Sequence, residues 1–477
     1  MPPNRPLAPR PAPPPTPAID VDLLLRHDRP GPRYTSYPTA DRFHDGVGPD
    51  EAEAALAEAA TASGPIALYL HLPFCEHRCL YCACQVVITR RDDVADPYLE
   101  RLKQEIDLVA ARLGPDRDAR RPVAQLHLGG GTPTWYPPER LHDLLGHLHA
   151  RFRLTSDAEA ALEVDPRVTT EAHLAVCARH GFRRLSIGVQ DFDPQVQRAV
   201  QREQTPAQVE ALMRAARRHG YDSINLDLIH GLPHQTPGSF AVTLQEVIRL
   251  RPDRLAVYSF AHVPWVAPHQ KLLDADALPD ARTKARLLAD ARDALMAAGY
   301  DDVGMDHFAL PGDGLAVAQR EGRLHRNFMG YTERPASDLI GLGLSAIGFV
   351  QGRYLQNAKK LTAWNRAIDA SSLATVRGVR REGDDELRAT VIHDWMCRLR
   401  VDVAEIERRF DVDFGRVFAT ELRDLEPLAA DGLVRIEPDG LHPGPLARPF
   451  ARNVAMVFDR HLRERREGTG PRYSRTV

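Results

Sequence analysis

At 477 residues the chain exceeds one ordinary domain, so a large unit and a smaller one are expected. Hydrophobic residues make up 43% and charged residues 27%, the balance of a globular protein with a sizeable core. A net charge of −3 argues against a bulk nucleic-acid or membrane surface, and no apolar run reaches the roughly 18 residues needed to cross a bilayer.

Met1 to Pro17 holds nine prolines and predicts a disordered, partly extended tail, assigned to residues 1–18. No charged start leads into an apolar stretch, so no secretion signal is expected. Residues 19–60 form an N-terminal arm, in which "GPRYTSYPT" (Gly31 to Thr39) reads as ordered but neither strand nor helix. From Ile66 onward short β-rich runs alternate with helical stretches. The runs are "IALYLHL", "VAQLHLGGG", "AALEVDP", "RRLSIGVQ", "SINLDLIHG", "RLAVYSF" and "DDVGMDHF". Stretches such as "PYLERLKQEIDLVAARLG" place apolar residues at helical spacing, and Gly181, Gly220 and Gly299 close helices just before the next run. Repeated strand–helix units predict an α/β fold with a parallel sheet or barrel, assigned to residues 61–374. Such folds carry their chemistry at the C-terminal ends of the strands. From residue 375 to 477 the rhythm stops. "DDELRATVIHDWMCRLRV", "VAEIERRF" and "GRVFATELRDLEPLAADGLVRI" read as helices ending in a short hairpin, a mainly α-helical C-terminal domain.

Four of the six cysteines fall within ten residues, in "YLHLPFCEHRCLYCAC" (Tyr69 to Cys84). Only Cys177 and Cys397 lie elsewhere, too few for a disulfide scaffold, so a reduced cytoplasmic protein is expected. Cys75, Cys79 and Cys82 follow a C-x3-C-x2-C spacing on a loop. Structural zinc normally draws two pairs from separated segments. A redox C-x2-C pair would leave two thiols unexplained. An iron–sulfur cube suits the spacing better, because its iron corners lie apart and one loop can reach three of them.

That spacing just after a first strand is similar to the signature of radical S-adenosylmethionine (SAM) enzymes. With "GPRYTSYPT", "LHLGGGTPT", "EVDPR", "GVQDF", "VQREQ", "LDLIHGLPHQT", "GMDHFA" and "HRNFMGYT" in order, the chain resembles the oxygen-independent coproporphyrinogen III dehydrogenases, the anaerobic oxidases of haem biosynthesis. The resemblance implies a partial (β/α) barrel closed by the arm and the helical domain. It implies a [4Fe-4S] cluster on Cys75, Cys79 and Cys82, and two molecules of SAM. One SAM bound at the open iron would be cleaved to a 5′-deoxyadenosyl radical, which takes hydrogen from an unactivated carbon. The implied reaction is oxidative decarboxylation of two propionates of coproporphyrinogen III to vinyl groups. A one-electron reductant such as flavodoxin or ferredoxin would feed it, and a monomer is expected. A haem-binding, chaperone-like or haem-utilisation protein on the same scaffold is the alternative.

The resemblance also distributes roles over single residues, each beside a plainer reading. Tyr69 would lie beside the cluster and SAM; a half-buried strand tyrosine is the plain reading. Tyr81 would face the adenine, or merely fill the loop. Gly130 would approach the first SAM, and Gly131 and Thr132 the second; a glycine run otherwise marks a tight turn. Glu163 sits on an apolar run, where a carboxylate needs a partner: a SAM ribose, or a core arginine. Asp227, Gln190 and Arg202 would meet the second SAM, although most arginines are surface residues. Ala261 and Ile347 would contribute main chain only. Cys84 is catalytic in this reading, a proton or hydrogen-bond donor near substrate; packing as a small buried thiol is equally open. Arg33 and Arg472 are cations that could receive propionates. Met329, where glutamine is expected, and "ERPAS" (Glu333 to Ser337) depart from the family pattern.

Overall fold

The computed structural model describes residues 19–464 and 473–476; the tail expected at 1–18 and Arg472 lie outside them. Six runs become parallel strands: β1 (Ile66–Leu72), β2 (Val123–Gly130), β3 (Leu154–Val164), β4 (Arg184–Gln190), β5 (Ser223–His230) and β6 (Arg254–Ser259). Helices return the chain between most of them, for example Asp92–Leu113 and Pro206–Arg218. The latter opens on a capping box at Thr205 with Pro206 in its first turn, and runs out before Gly220 at a φ of 83°.

The seventh run is not a seventh parallel strand. "DDVGMDHF" breaks at Met305 into a hairpin, β7 (Asp301–Gly304) and β8 (His307–Ala309), and β8 lies antiparallel to β6. On the other edge, β9 (Asp338–Leu342) runs parallel to β1. β10 (Ile347–Val350), β11 (Arg353–Asn357) and β12 (Thr375–Arg380) then extend the sheet in antiparallel fashion. The spatial order is β12-β11-β10-β9-β1-β2-β3-β4-β5-β6-β8-β7, with its two edges unpaired to each other, so the barrel is partial. Thr375–Arg380, read from the sequence as the start of the helical unit, is thus part of this sheet.

The strands alternate as a barrel requires. In β4, Leu185, Ile187 and Val189 are buried beneath the helices, while Arg184, Ser186, Gly188 and Gln190 face a polar interior. A second core joins the C-terminal helices, around Trp395, Phe418 and Phe458, to Leu24, Tyr34 and Tyr37 of the N-terminal arm. The arm is tied down at both of its ends. Gly31 N donates to the Ser474 carbonyl, Thr476 N to that of Arg29, and the Tyr34 hydroxyl to Asp459 at 2.9 Å. Gly31 itself packs closely on Met456: a Cβ there would meet its Sδ at 2.4 Å, so the methionine would have to move. Among the described residues no helix is long and apolar enough to cross a membrane.

Candidate functional site

The cysteine loop leaves β1 through Phe74 and Cys75, which pair in parallel with Val87 and Ile88, so the loop is closed at its base. Phe74 is fully buried against Tyr98, Trp135 and Tyr136, ring centroids 5.4 to 5.7 Å away, and this fixes where the loop departs. Leu80 N donates to the Val200 carbonyl. Two side chains of the turn Pro268–Leu272 hold the loop's tip. His269 Nε2 lies 2.7 Å from the Cys82 carbonyl, and the wholly buried Gln270 donates to the carbonyls of Tyr81 (3.1 Å) and Ala261 (3.2 Å). Gln270 also accepts from Val263 N. Replacing Gln270 by alanine would strand these buried main-chain groups at about 1–3 kcal/mol. Gln270→Ala should therefore unfold at lower denaturant and release iron faster than the parent. An unchanged midpoint and iron retention would refute this bracing role.

Cys75, Cys79, Cys82 and Cys84 line one cavity of about 730 Å³, together with Tyr81, Gly130, Gly131, Thr132, Glu163, Gln190, Arg202 and Asp227. The sheet places these residues on the loop after β1, at or just beyond the C-terminal ends of β2, β3 and β4, and within β5. Tyr69 is not among the residues lining the cavity: its hydroxyl is 2.9 Å from His71 Nδ1, and its ring packs on His127. Ala261 and Ile347 do not line this cavity. Ala261 faces the Gln270 brace, and Ile347 opens β10 with its main chain against Gly341.

The three glycines are fixed by protein neighbours. A Cβ at Gly129 would strike Glu163, one at Gly130 the His71 ring, and one at Gly131 the Pro73 main chain, all at 2.6 Å. Gly130 also needs its φ of 112°. Among the described residues Glu163 has no arginine partner. His127 Nε2 lies 3.0 Å from one of its oxygens and Gly130 N donates to the other at 3.2 Å. The rest of the carboxylate looks into the cavity, with 45% of the side chain exposed. Burial pushes its pKa up, but the His127 and Gly130 contacts outweigh this and hold it below the ordinary carboxylate range. Asp227 accepts from Ser186 (2.8 Å) and Asn225 (2.9 Å), and burial raises its carboxyl to about 6.

Arg202 is buried, not a surface residue. It is ion-paired with Asp165 at 2.9 Å, donates to the Gly188 carbonyl at 2.7 Å, and lies 3.5 Å from Cys79 Sγ. Arg167 grips the same Asp165 and reaches Cys79 Sγ at 3.6 Å. Two guanidinium groups therefore surround one thiol. Cys75 Sγ lies 3.5 Å from Thr132 Oγ1, and burial pushes its thiol up to about 11. A hydrogen bond with Cys84 draws Cys82 down to about 6 and drives Cys84 well up. Cys84 is exposed to the cavity, so it is not a buried packing thiol. The chemistry of the donor set fits a cluster. Sulfurs around a single tetrahedral ion stand about 3.8 Å apart. Among the described residues, the only three donors within 4.8 Å of one another are Glu437, Asp439 and His442, far along the chain; the cysteines are spread more widely.

Sequence reasoning missed Asp165, Arg167, His127 and Gln270. The first two were in view in "EVDPR", but nothing in the motif shows that their side chains turn toward Cys79. Gln270 carries no local signal at all.

The family model described as the Radical SAM superfamily matches residues 69–247, and the HemN C-terminal domain matches residues 382–450. The oxygen-independent coproporphyrinogen III oxidases of Pseudomonas aeruginosa and Escherichia coli are each 44% identical to the chain. They align over 93% and 94% of it, and over 96% of their own lengths. The solved coproporphyrinogen III oxidase (HemN) of Escherichia coli, described as a radical SAM enzyme, superposes with a TM-score of 0.88 at 42% identity, covering 93% of this chain and 100% of that one.

Proposed function

Since the chain belongs to the family of oxygen-independent coproporphyrinogen III oxidases, we propose that it decarboxylates two propionates of coproporphyrinogen III oxidatively to vinyl groups, giving protoporphyrinogen IX. The observation that carries this is the gathering of three spaced thiols, a free carboxylate and buried cations around one cavity. Cys75, Cys79 and Cys82 would hold a [4Fe-4S] cluster by their thiolates. When bound, that cluster and SAM supply the one-electron chemistry that removes a hydrogen atom from the propionate β-carbon.

The chain's own residues have definable tasks. Arg202 and Arg167 each bring a guanidinium donor to Cys79 Sγ, contacts suited to orienting the sulfur of a cluster ligand. Glu163, kept ionised by His127 and Gly130, presents an acceptor suited to a ribose hydroxyl. Asp227 and Gln190 stand on the other side of Gly188, at a bulge where Gln190 adopts a φ of 69°. With Arg202 they offer a carboxylate, an amide and a cation to a second, zwitterionic SAM. Cys84, its pKa driven well up by the hydrogen bond with Cys82 and its thiol facing the cavity, stays protonated and can donate. A soluble one-electron donor such as flavodoxin or ferredoxin, a cytoplasmic setting and a monomeric state complete the reading; six free cysteines support the reduced setting.

Anaerobic incubation with coproporphyrinogen III, SAM and a reductant tests it directly. Mass analysis should show two successive losses, each of carbon dioxide together with two hydrogens. Intact substrate recovered with retained porphyrin would favour a carrier role instead.

A further inference from the structure

Where the arm closes the barrel, three guanidinium groups gather, with the Asp306 carboxylate beside Arg33 and that of Asp28 acting on Arg452. Arg33 comes from the arm, Arg326 from the hairpin strand His325–Asn327, and Arg452 from the helix Ala451–Ala455. Arg33 is ion-paired with Asp306. Arg452 spends its donors on the main-chain carbonyls of Gly31, Pro32 and Arg475. Among the described residues Arg326 has no acidic partner. It is 7% exposed, donates one bond to the Arg33 carbonyl at 3.3 Å, and lies over the Tyr331 ring at 4.6 Å. Its Nε and Nη1 are buried without a hydrogen-bond partner. Burial, then mutual repulsion, pulls Arg33 down to about 9 and Arg452 to about 10. An uncompensated buried cation is costly, and a chain under no other demand would not keep one.

The group borders open space. Arg33 leaves 31% of its side chain exposed, and its guanidinium sits 5.3 Å over Tyr258. Tyr258 lines the cysteine cavity and also the adjoining void of about 120 Å³ inside the barrel, which Tyr331 and His307 share. Arg326 also lines a cavity of about 440 Å³ with Phe328, Phe349 and Tyr354. Guanidinium donors beside aromatic walls suit a carboxylated tetrapyrrole.

We propose that Arg33 and Arg326 together receive one propionate carboxylate of the tetracarboxylate substrate, completing the charge balance that the protein leaves open. This rests on the function proposed above. The anchored propionate is one that the reaction leaves intact, because two guanidinium groups stabilise the anion and oppose its loss as neutral carbon dioxide. The arm then acts in specificity as well as closure.

The test is equilibrium binding of coproporphyrin III, the fluorescent oxidised ring, to the full anaerobically prepared chain, beside its tetramethyl ester. Arg326→Gln should weaken binding of the acid at least about tenfold, with ester binding unchanged. Arg326→Lys, lacking the planar fork, should fall between. Arg33→Gln, on a separate segment, should act in the same direction and carries the test if the Arg326 variants fail to fold. Acid binding equal to the parent in Arg326→Gln and Arg33→Gln would overturn the inference. So would equal loss of acid and ester, which marks a structural role. A parent that binds neither compound would overturn the proposed function itself.

Discussion

Single replacement of Cys75, Cys79 or Cys82 by serine is expected to abolish the iron–sulfur absorbance of the reconstituted protein and all SAM cleavage. Each change removes one of three thiolates, and a hydroxyl is a far poorer ligand for iron. Cys84→Ser should behave differently. Its thiol faces the same cavity and is bonded to Cys82 rather than needed as a ligand, so iron content should match the parent while product formation falls. Iron analysis of the four variants side by side decides the ligand set. Loss of iron from Cys84→Ser equal to the others would mean that the wrong three cysteines have been chosen.

Arg202→Ala and Asp227→Ala should cost about 100-fold or more in vinyl-group formation, the effect of deleting one partner of a buried charged contact. Both should keep the cluster absorbance and bind one SAM per cluster where the parent binds two. The Asp227 carboxyl, raised to about 6, adds a pH signature. It is ionised above that value, so second-site binding in the parent should fall as pH drops through 6, and Asp227→Asn should lack this transition. SAM stoichiometry beside product yield is the measurement. Two SAM per cluster with normal turnover in both variants would end the two-pocket reading. Iron loss in Arg202→Ala would instead assign that residue to the Asp165–Cys79 network it joins.

The parallel half of the sheet was legible because each run is apolar, β-rich and closed off by glycine or proline before a helix of clear period. The antiparallel half was not. "SDLIGLGLSAIGFVQGRYLQN" holds three strands of four or five residues broken by glycines, too short to show either period. Likewise "DDVGMDHF" reads as one run because nothing local announces the turn at Met305, a residue that seldom adopts positive φ. At the site, spacing alone made the cysteines visible, and a carboxylate on an apolar run made Glu163 visible. Its partner was misjudged among the plain readings, since a histidine two positions before Gly129 on a neighbouring strand is a tertiary contact. The burial of Arg202 was equally hidden: its helix-to-loop position looks like surface, and only the approach of Asp165 from β3's end pulls it inside.

The partners that fasten the arm come largely from the far end of the chain: Arg452, Asp459, Ser474 and Thr476. A ribosome releases the arm first and these partners last. The strands that carry the thiols, the glycine run and Glu163 are therefore all synthesised while residues 29–34 of the arm still lack these partners. Maturation of the metal centre thus has a natural interval, set by translation, in which the barrel mouth stands open to the machinery that delivers iron and sulfide.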